Sequence, residues 1–429
     1  MTNKTHNQKQ ILVYAHWEGI VSPLLIGSLF STLLRGKEIF SFEYSKIWLE
    51  SPYSLSIDPN LSLFSGPQYP RNNNENFGIF LDSSPDRWGR VLMQRKEALL
   101  AKSENRQEKY LIESDYLLGV FDSHRMGALR FKLLENGNFL DDNQDMAAPP
   151  WSSLRDLEYA SLQLENKNSE NHTQYSKWLR MLIAPGSSLG GARPKASVTD
   201  SNNHPWIAKF PSNRDEINIG KWEYLTYLLA KEAQLDISES KFENFSNRFD
   251  TFLTKRFDRT SSGNRLHFAS AMTLLGMKDG DGADTGVSYL DLANFIIKYG
   301  CDVNRNLEQL WRRIVFYICV SNTDDHLRNH GFILTESGWI LSPAYDINPT
   351  SKGWGLALNI SKSDNSLDLE LAKSVAIFFR VPPDKQITII NDVISAVKKW
   401  SAFAQHLGIP APEIQTMKNA FKITEDYSS

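Results

Sequence analysis

Apolar residues recur along the chain in blocks separated by short polar, Gly- and Pro-containing turns, and the spacing inside each block predicts its element. Ile11–Trp17 reads as a strand, and the apolar residues of Leu24–Leu34 are spaced as in a helix. Ser84-Pro85-Asp86 marks a helix start, with Pro early in the first turn and Asp beside the positive end of the helix dipole; the helix runs through Trp88, Val91, Leu92 and Leu99. A short helix around Ser114–Leu118 and a strand over Ala128–Leu134 follow, and the Asn-, Asp-, Gly- and Pro-rich stretch Glu135–Pro150 reads as a boundary. Beyond it the pattern predicts helices over Ser152–Leu164 and Gln174–Ile183, then a turn-rich loop, Gly186–Gly191. Strands over Pro194–Thr199 and Trp206–Phe210 flank a tight turn at Asp200–His204, and a helix at Trp222–Ala233 precedes a strand at Thr251–Phe257. After Arg259 helical spacing dominates: Tyr289–Tyr299, Leu307–Val320, Leu371–Phe379, Ile387–Ala404 and Ile414–Phe421. A hairpin of Gly331–Leu334 and Trp339–Leu341 around Glu336-Ser337-Gly338 interrupts that run.

A mixed first part, a mostly β middle with one helix and a helix-rich remainder make this an α+β chain, and 429 residues are enough for two or three domains, each with its own core. With 47 Lys and Arg against 50 Asp and Glu, the charge of −3 argues against a large sequence-blind nucleic-acid surface. The two cysteines, Cys301 and Cys319, cannot build a disulfide framework, which fits a reducing compartment. No apolar run nears the roughly 18 to 20 residues of a membrane span; the longest, Ile314–Val320, follows Arg312 and Arg313. Met1–Gln10 is polar and carries no secretory h-region, so the expected setting is the cytoplasm, away from membranes.

Candidate chemistry concentrates in Asn322-Thr-Asp-Asp-His-Leu-Arg-Asn329, a loop between a helix and a strand, and in Asp346, which comes after the hairpin. Asp and Asn are hard oxygen ligands suited to Mg²⁺. Asp324 and Asn329 are five apart, the spacing of a protein-kinase catalytic loop, and Asp346 stands where a second metal-binding Asp would return. Upstream, the Gly186–Gly191 loop permits close approach of backbone N–H groups to phosphates, and Lys209 at the end of the next strand offers them a compact positive charge. No Gly-Lys-Ser/Thr opens a helix here, so this is not a Walker A loop. Glu223, in the first turns of the next helix, is placed to pair with Lys209. Each part alone has a plainer reading: a helix cap, a hairpin turn, a surface lysine, a helix-dipole partner.

Taken in order, Gly186-Ser-Ser-Leu-Gly-Gly-Ala-Arg-Pro-Lys195, Ile207-Ala-Lys209, Lys255-Arg-Phe-Asp-Arg259, Thr323–Asn329 and Pro343-Ala-Tyr-Asp346 resemble the HipA-type serine/threonine kinases, toxins of bacterial type II toxin–antitoxin pairs. Ser84-Pro-Asp-Arg-Trp-Gly-Arg90 and Arg125-Met-Gly-Ala-Leu-Arg-Phe131 look like that family's extra subdomain, so the resemblance spans nearly the whole chain. It implies a two-lobed protein-kinase-like fold: an N-terminal α/β subdomain over 1–145, an N-lobe over 146–259 with Gly-rich loop, strand lysine and hinge, and an all-helical C-lobe over 260–429. By position it makes Asp324 the catalytic base and Asn329 and Asp346 the Mg²⁺ ligands. Ser188, Leu189, Gly190, Gly191 and Lys209 would hold ATP phosphates, and Lys255, Phe257 and Asp258 would form the hinge. Ser188 falls at a loop serine that family members autophosphorylate; a phosphate of roughly −1.5 to −2 charges there opposes nucleotide binding. Glu223, His326 and Arg328 would support the site, although a loop-bracing role suits the last two equally.

Two departures stand out. Asp325 is a second carboxylate beside Asp324, and the kinase Asp-Phe-Gly is replaced by Tyr345-Asp346-Ile347-Asn348, without a glycine to serve an activation-loop switch. The resemblance also implies a helix-turn-helix, HipB-like antitoxin through which DNA is contacted indirectly, and growth arrest by phosphorylation of a translation component, an aminoacyl-tRNA synthetase and glutamyl-tRNA synthetase first. The alternative from a different class is a weakly catalytic nucleotide-binding subunit of an antitoxin–operator repressor. A metal-dependent nuclease using Asp324, Asp325, His326 and Asp346 leaves the glycine loop and Lys209 unexplained.

Overall fold

The computed structural model describes residues 8–71, 74–143, 149–183, 191, 193–246 and 248–427. The chain divides into two compact units, 1–207 with 258–269, and 208–257 with 270–429. Compactness therefore does not break at 145/146: residues 146–207 belong to the first unit.

The first unit is organised on an antiparallel sheet of β1 (Gln8–Ala15), β2 (Leu24–Leu34), β3 (Lys37–Tyr44) and β4 (Leu129–Lys132), in the order β3-β2-β1-β4. The helix expected at Leu24–Leu34 is thus a strand. Its apolar residues do fall three and four apart, but Arg35 and Gly36, with φ of 51° and 79°, form the tight turn that pairs Leu34 with Lys37. Strands on both sides then supply hydrogen bonds that a helix would have to make internally, and Gly27, Leu29 and Ser31 alternate into the interior. Gly27 is required there, because a Cβ would lie 2.2 Å from Glu43 O on β3. Phe42, Phe77, Phe80 and Phe131 pack edge-on or tilted against one another under this sheet. The helix Arg87–Ser103 begins as expected, although Asp86 is its cap, accepting from Gly89 N at 2.8 Å, and Pro85 lies just outside. Helices Glu113–Leu118, Leu154–Glu165 and Tyr175–Ile183 follow, then β5 (Lys195–Thr199) and β6 (Pro205–Lys209) around a turn closed by Asp200 N to His204 O at 3.0 Å. β6 carries the chain into the second unit.

That unit is built around the helix Val303–Val320, in which every residue from Leu310 to Val320 is buried, as in a helix enclosed on all sides. Against it pack the helices Tyr289–Tyr299, Leu369–Val375 and Pro383–Val397, and Ile219–Glu232 packs on the last of these. The helix expected over Ile387–Ala404 is broken: Pro383–Val397 ends and Trp400–His406 starts afresh. Residues 260–429 are also not all-helical. They contain β9 (His267–Ser270) and the hairpin β10 (Gly331–Thr335) with β11 (Gly338–Leu341), paired Thr335 to Gly338. Earlier in the unit, β7 (Ser240–Glu243) pairs antiparallel with β8 (Thr251–Lys255). Cys319 is buried and Cys301 half-buried, both as free thiols. Among the described residues no helix is long and apolar enough to cross a membrane.

Candidate active site

The long buried helix ends at Ser321, whose left-handed backbone (φ 51°) turns the chain sharply into the Asn322–Asn329 loop. Asn322 N closes that end on Tyr317 O at 2.9 Å. The loop is further held by Asn329, whose amide nitrogen donates to Asp324 O at 2.7 Å, a bond that leaves the amide oxygen unused. Rigid support on one side and the β10 hairpin on the other give the loop a defined shape.

Its two adjacent carboxylates have opposite environments. Asp324 is exposed. Asp325 is fully buried; its side chain accepts from Ala357 N at 2.7 Å and from the Tyr289 hydroxyl, and burial pushes its pKa up to about 7. Only Asp324 is open to a substrate. His330, at the loop's end, is also fully buried, and burial pushes its pKa down to about 3, so it is neutral.

Lys209, Glu223 and Asp346 come together in the second unit. The Lys209 ammonium lies 2.5 Å from Glu223 Oε1 and 2.5 Å from Asp346 Oδ1. Burial works against its charge, but Asp346 and Glu223 outweigh that and hold its pKa above the ordinary lysine value. Asp346 itself has φ of +56°, in the left-handed region that a non-glycine residue adopts at a cost and that clusters at functional sites. Asn348, two residues on, donates its amide nitrogen to Asp346 Oδ1 at 3.2 Å and its backbone N–H to Asn322 Oδ1 at 3.1 Å. Its own Oδ1 is buried without a hydrogen-bond partner. Asn322 and Asn348 thus tie the Asp346 segment to the Asn322–Asn329 loop. Neither was singled out as a site residue from the sequence, although an Asx side chain two positions after a ligand candidate is the available signal. A cavity of about 20 Å³, room for one water, is lined by Glu223, Ser240, Thr254 and Asp346 among others.

The remaining expected residues divide. Phe257 packs its ring on Tyr345 at 5.4 Å, and Tyr345 donates from its hydroxyl to Arg328 O at 2.7 Å. Arg328 pairs with Asp279 at 3.1 Å, and His326 is half-buried with Nδ1 unpartnered, so Arg328 braces a loop. Lys255 is a third exposed and faces Glu239 at 3.7 Å, an outward pairing. Asp258 belongs to the first unit, fully buried, where its carboxylate accepts from Gly127 N at 2.8 Å and from Arg259 at 2.5 Å. Its side chain is therefore committed to packing within that unit. Ser188, Leu189 and Gly190 lie outside the described residues. Gly191 is described, with φ of +101° and its carbonyl 3.4 Å from Lys195 Nζ. Lys195 makes a buried ion pair with Asp86 at 2.8 Å, and its carbonyl accepts from the Trp88 indole at 3.1 Å. The Ser84–Arg90 motif thus grips the strand next to the glycine loop.

Comparison with known proteins adds to this geometry. Over 204 residues, 42% of this chain, the sequence is 26% identical to a Haemophilus influenzae protein named "Putative kinase", and the match spans 59% of that protein's length. The fold is similar to that of HipA from Shewanella oneidensis MR-1, solved with HipB and its operator DNA: TM-score 0.64 and 17% identity, covering 97% of each chain. Residues 187–401, half of the chain, match the model of the HipA-like C-terminal domain, a span that takes in Lys209, Glu223, the Asn322–Asn329 loop and Asp346. The chain belongs to the family of HipA-like proteins defined by that domain.

Proposed function

We propose that this protein is an ATP- and Mg²⁺-dependent serine/threonine protein kinase acting as the toxin of a toxin–antitoxin pair. The observation that carries the reading is the buried Lys209 ammonium bonded to both Glu223 and Asp346, within one compact unit that also presents the exposed Asp324. A lysine held charged in this way is a fixed counter-charge for nucleotide phosphates. Asn329 and Asp346 suit Mg²⁺ because both offer hard oxygens, and Asn348, whose Oδ1 is unpartnered, is bonded to Asp346 through its amide nitrogen. Among the described residues no group of three or more His, Cys, Asp or Glu is assembled, so phosphates and water would complete the metal's shell. When bound, the ion neutralises charge on the phosphates.

In the transfer step the acceptor hydroxyl oxygen bonds to the γ-phosphorus, the bond from that phosphorus to the β–γ bridging oxygen breaks, and ADP leaves. The hydroxyl proton passes to Asp324, the open carboxylate of the loop. Asp325, buried and already engaged by Tyr289 and Ala357, shapes the loop instead. The two-lobed kinase plan and inactivation by phosphate on Ser188 are parts of this proposal. So are a cytoplasmic setting and a helix-turn-helix antitoxin; the structurally similar Shewanella protein was solved with HipB and operator DNA. The acceptor is a translation protein, with glutamyl-tRNA synthetase first to be tried.

The test is Mg²⁺-dependent transfer of label from γ-labelled ATP, with intact-mass analysis, for wild type beside Asp324→Asn. Label on the protein or on an added extract protein with wild type alone supports the kinase. ATP binding without transfer by unphosphorylated wild type rejects it and favours a nucleotide-binding repressor subunit.

A further inference from the structure

The segment after Asp346 is fastened to the catalytic loop at three points inside the second unit. Thr350 N donates to Ser321 O at 3.1 Å, and Ala357 N donates to Asp325 Oδ1 at 2.7 Å. Between them Gly353 lies so close to Thr323 that a Cβ there would meet its Cγ2 at 2.2 Å. The far side is also held: Leu356 N donates to Asn365 O at 2.8 Å, and Gly355 bridges Ser366. From this pinned segment Trp354 stands 95% exposed, whereas Trp48, Trp206, Trp222 and Trp311 are fully buried.

A single exposed apolar side chain is ordinary on a protein surface. What distinguishes Trp354 is where it is fixed. Gly353 is jammed against Thr323, the residue before Asp324, so covalent geometry keeps the Trp354 and Asp324 Cα atoms within roughly 14 Å of each other. Among the described residues nothing covers the indole, and the contacts above hold its backbone beside the loop.

We infer that Trp354 is the docking residue for the protein substrate: its indole receives an apolar side chain of the polypeptide whose hydroxyl is presented to Asp324. An extended chain advances about 3.3 Å per residue, so the docked side chain lies within about four positions of the acceptor. An exposed Trp is the residue type most often found as an interface anchor, being large, rigid and able to donate from its N–H. The charge around it favours a polypeptide over nucleic acid. The turn joined to the segment by Ala283 N to Ala357 O at 2.8 Å contributes Asp279, Asp281 and Asp284, with Asp279 neutralising Arg328. With that pair set aside, Asp281, Asp284 and exposed Asp324 stand against Lys278 and Lys352, an excess of one negative charge. That balance lacks the clustered cations that hold a polyanion's phosphates.

This inference rests on the kinase reading, and the experiment separates the two. Wild type, Trp354→Ala and Trp354→Phe are assayed with labelled ATP on peptides carrying a central Ser or Thr and varied residues at the four positions on either side. Wild type is expected to select a large apolar residue at one of those positions. Trp354→Ala is expected to lose that selection and to raise KM for the best peptide 10- to 100-fold at unchanged affinity for ATP, with Trp354→Phe restoring most of it. The side chain buries almost no area, so urea midpoints of all three should coincide and exclude misfolding. Transfer by wild type with the same selection and KM in Trp354→Ala overturns the docking role and leaves the kinase standing. No transfer by wild type to any peptide or extract protein, with ATP bound, overturns both. Competition by a single-stranded RNA oligonucleotide that depends on Trp354 overturns the polypeptide assignment.

Discussion

Asp325→Asn tests the division of labour between the two loop carboxylates. In the folded protein Asp325 is fully buried, and burial raises its pKa from 3.8 to about 7, against the opposing effect of the Ala357 N–H. In the unfolded chain the same group ionises near its ordinary value of about 4. The folded state therefore keeps a proton that the unfolded state releases. The stability this provides is complete below about pH 4 and is lost as pH rises to about 7, at about 1.4 kcal/mol per pH unit, for a total of about 4 kcal/mol. Asparagine has nearly the same shape, stays neutral throughout and still accepts from Ala357 N. Urea unfolding at pH 5 and pH 8 should show wild type losing stability between the two while the variant does not, leaving the variant more stable at pH 8 by about 1 to 4 kcal/mol. The same variant should keep phosphoryl transfer within about tenfold of wild type, whereas Asp324→Asn should lose about 10²- to 10⁴-fold. Equal pH dependence in wild type and Asp325→Asn would refute the desolvation argument. A loss of transfer as large as that of Asp324→Asn would move the base role to Asp325.

Two further outcomes follow from buried charges. Lys209→Met leaves Glu223 and Asp346 facing each other without their cation; transfer should fall by about 100-fold or more, and stability by about 3 to 5 kcal/mol, part of which Glu223→Leu in the same chain should restore, as read by calorimetry. Asp86→Ala removes both the helix cap at Gly89 and the partner of buried Lys195, so it should cost about 3 to 5 kcal/mol, while Asp86→Asn, which retains the cap, should cost less by about 1 kcal/mol in urea titrations.

Much of the local structure was legible. The helix starting at Asp86, the long helix ending at Val320 and the hairpin around Glu336–Gly338 each have a periodic apolar face bounded by clear caps or turn residues, so neighbours in sequence suffice. Leu24–Leu34 misleads because its apolar spacing suits a helix, and the decision lies with distant strands. The Gly27 contact with Glu43 and the pairing with β1 are non-local, and Arg35-Gly36 is the one local clue. Lys255 and Asp258 show the same limit at the site. They are three apart in sequence, yet one side chain turns outward to Glu239 and the other into the first unit's interior.

By itself the sequence determined many of the individual elements, the α+β class, the family resemblance and the candidate pairing of Lys209 with Glu223, because caps, periodicity and motif spacing act over a few residues. Only the tertiary structure decided that Asp346 joins that pair, that Asp324 is open while its neighbour Asp325 is buried, and that Trp354 is fixed in solvent beside them. Those outcomes depend on which side chains separated by many residues exclude water from one another, and no local pattern encodes a desolvation set by the rest of the fold.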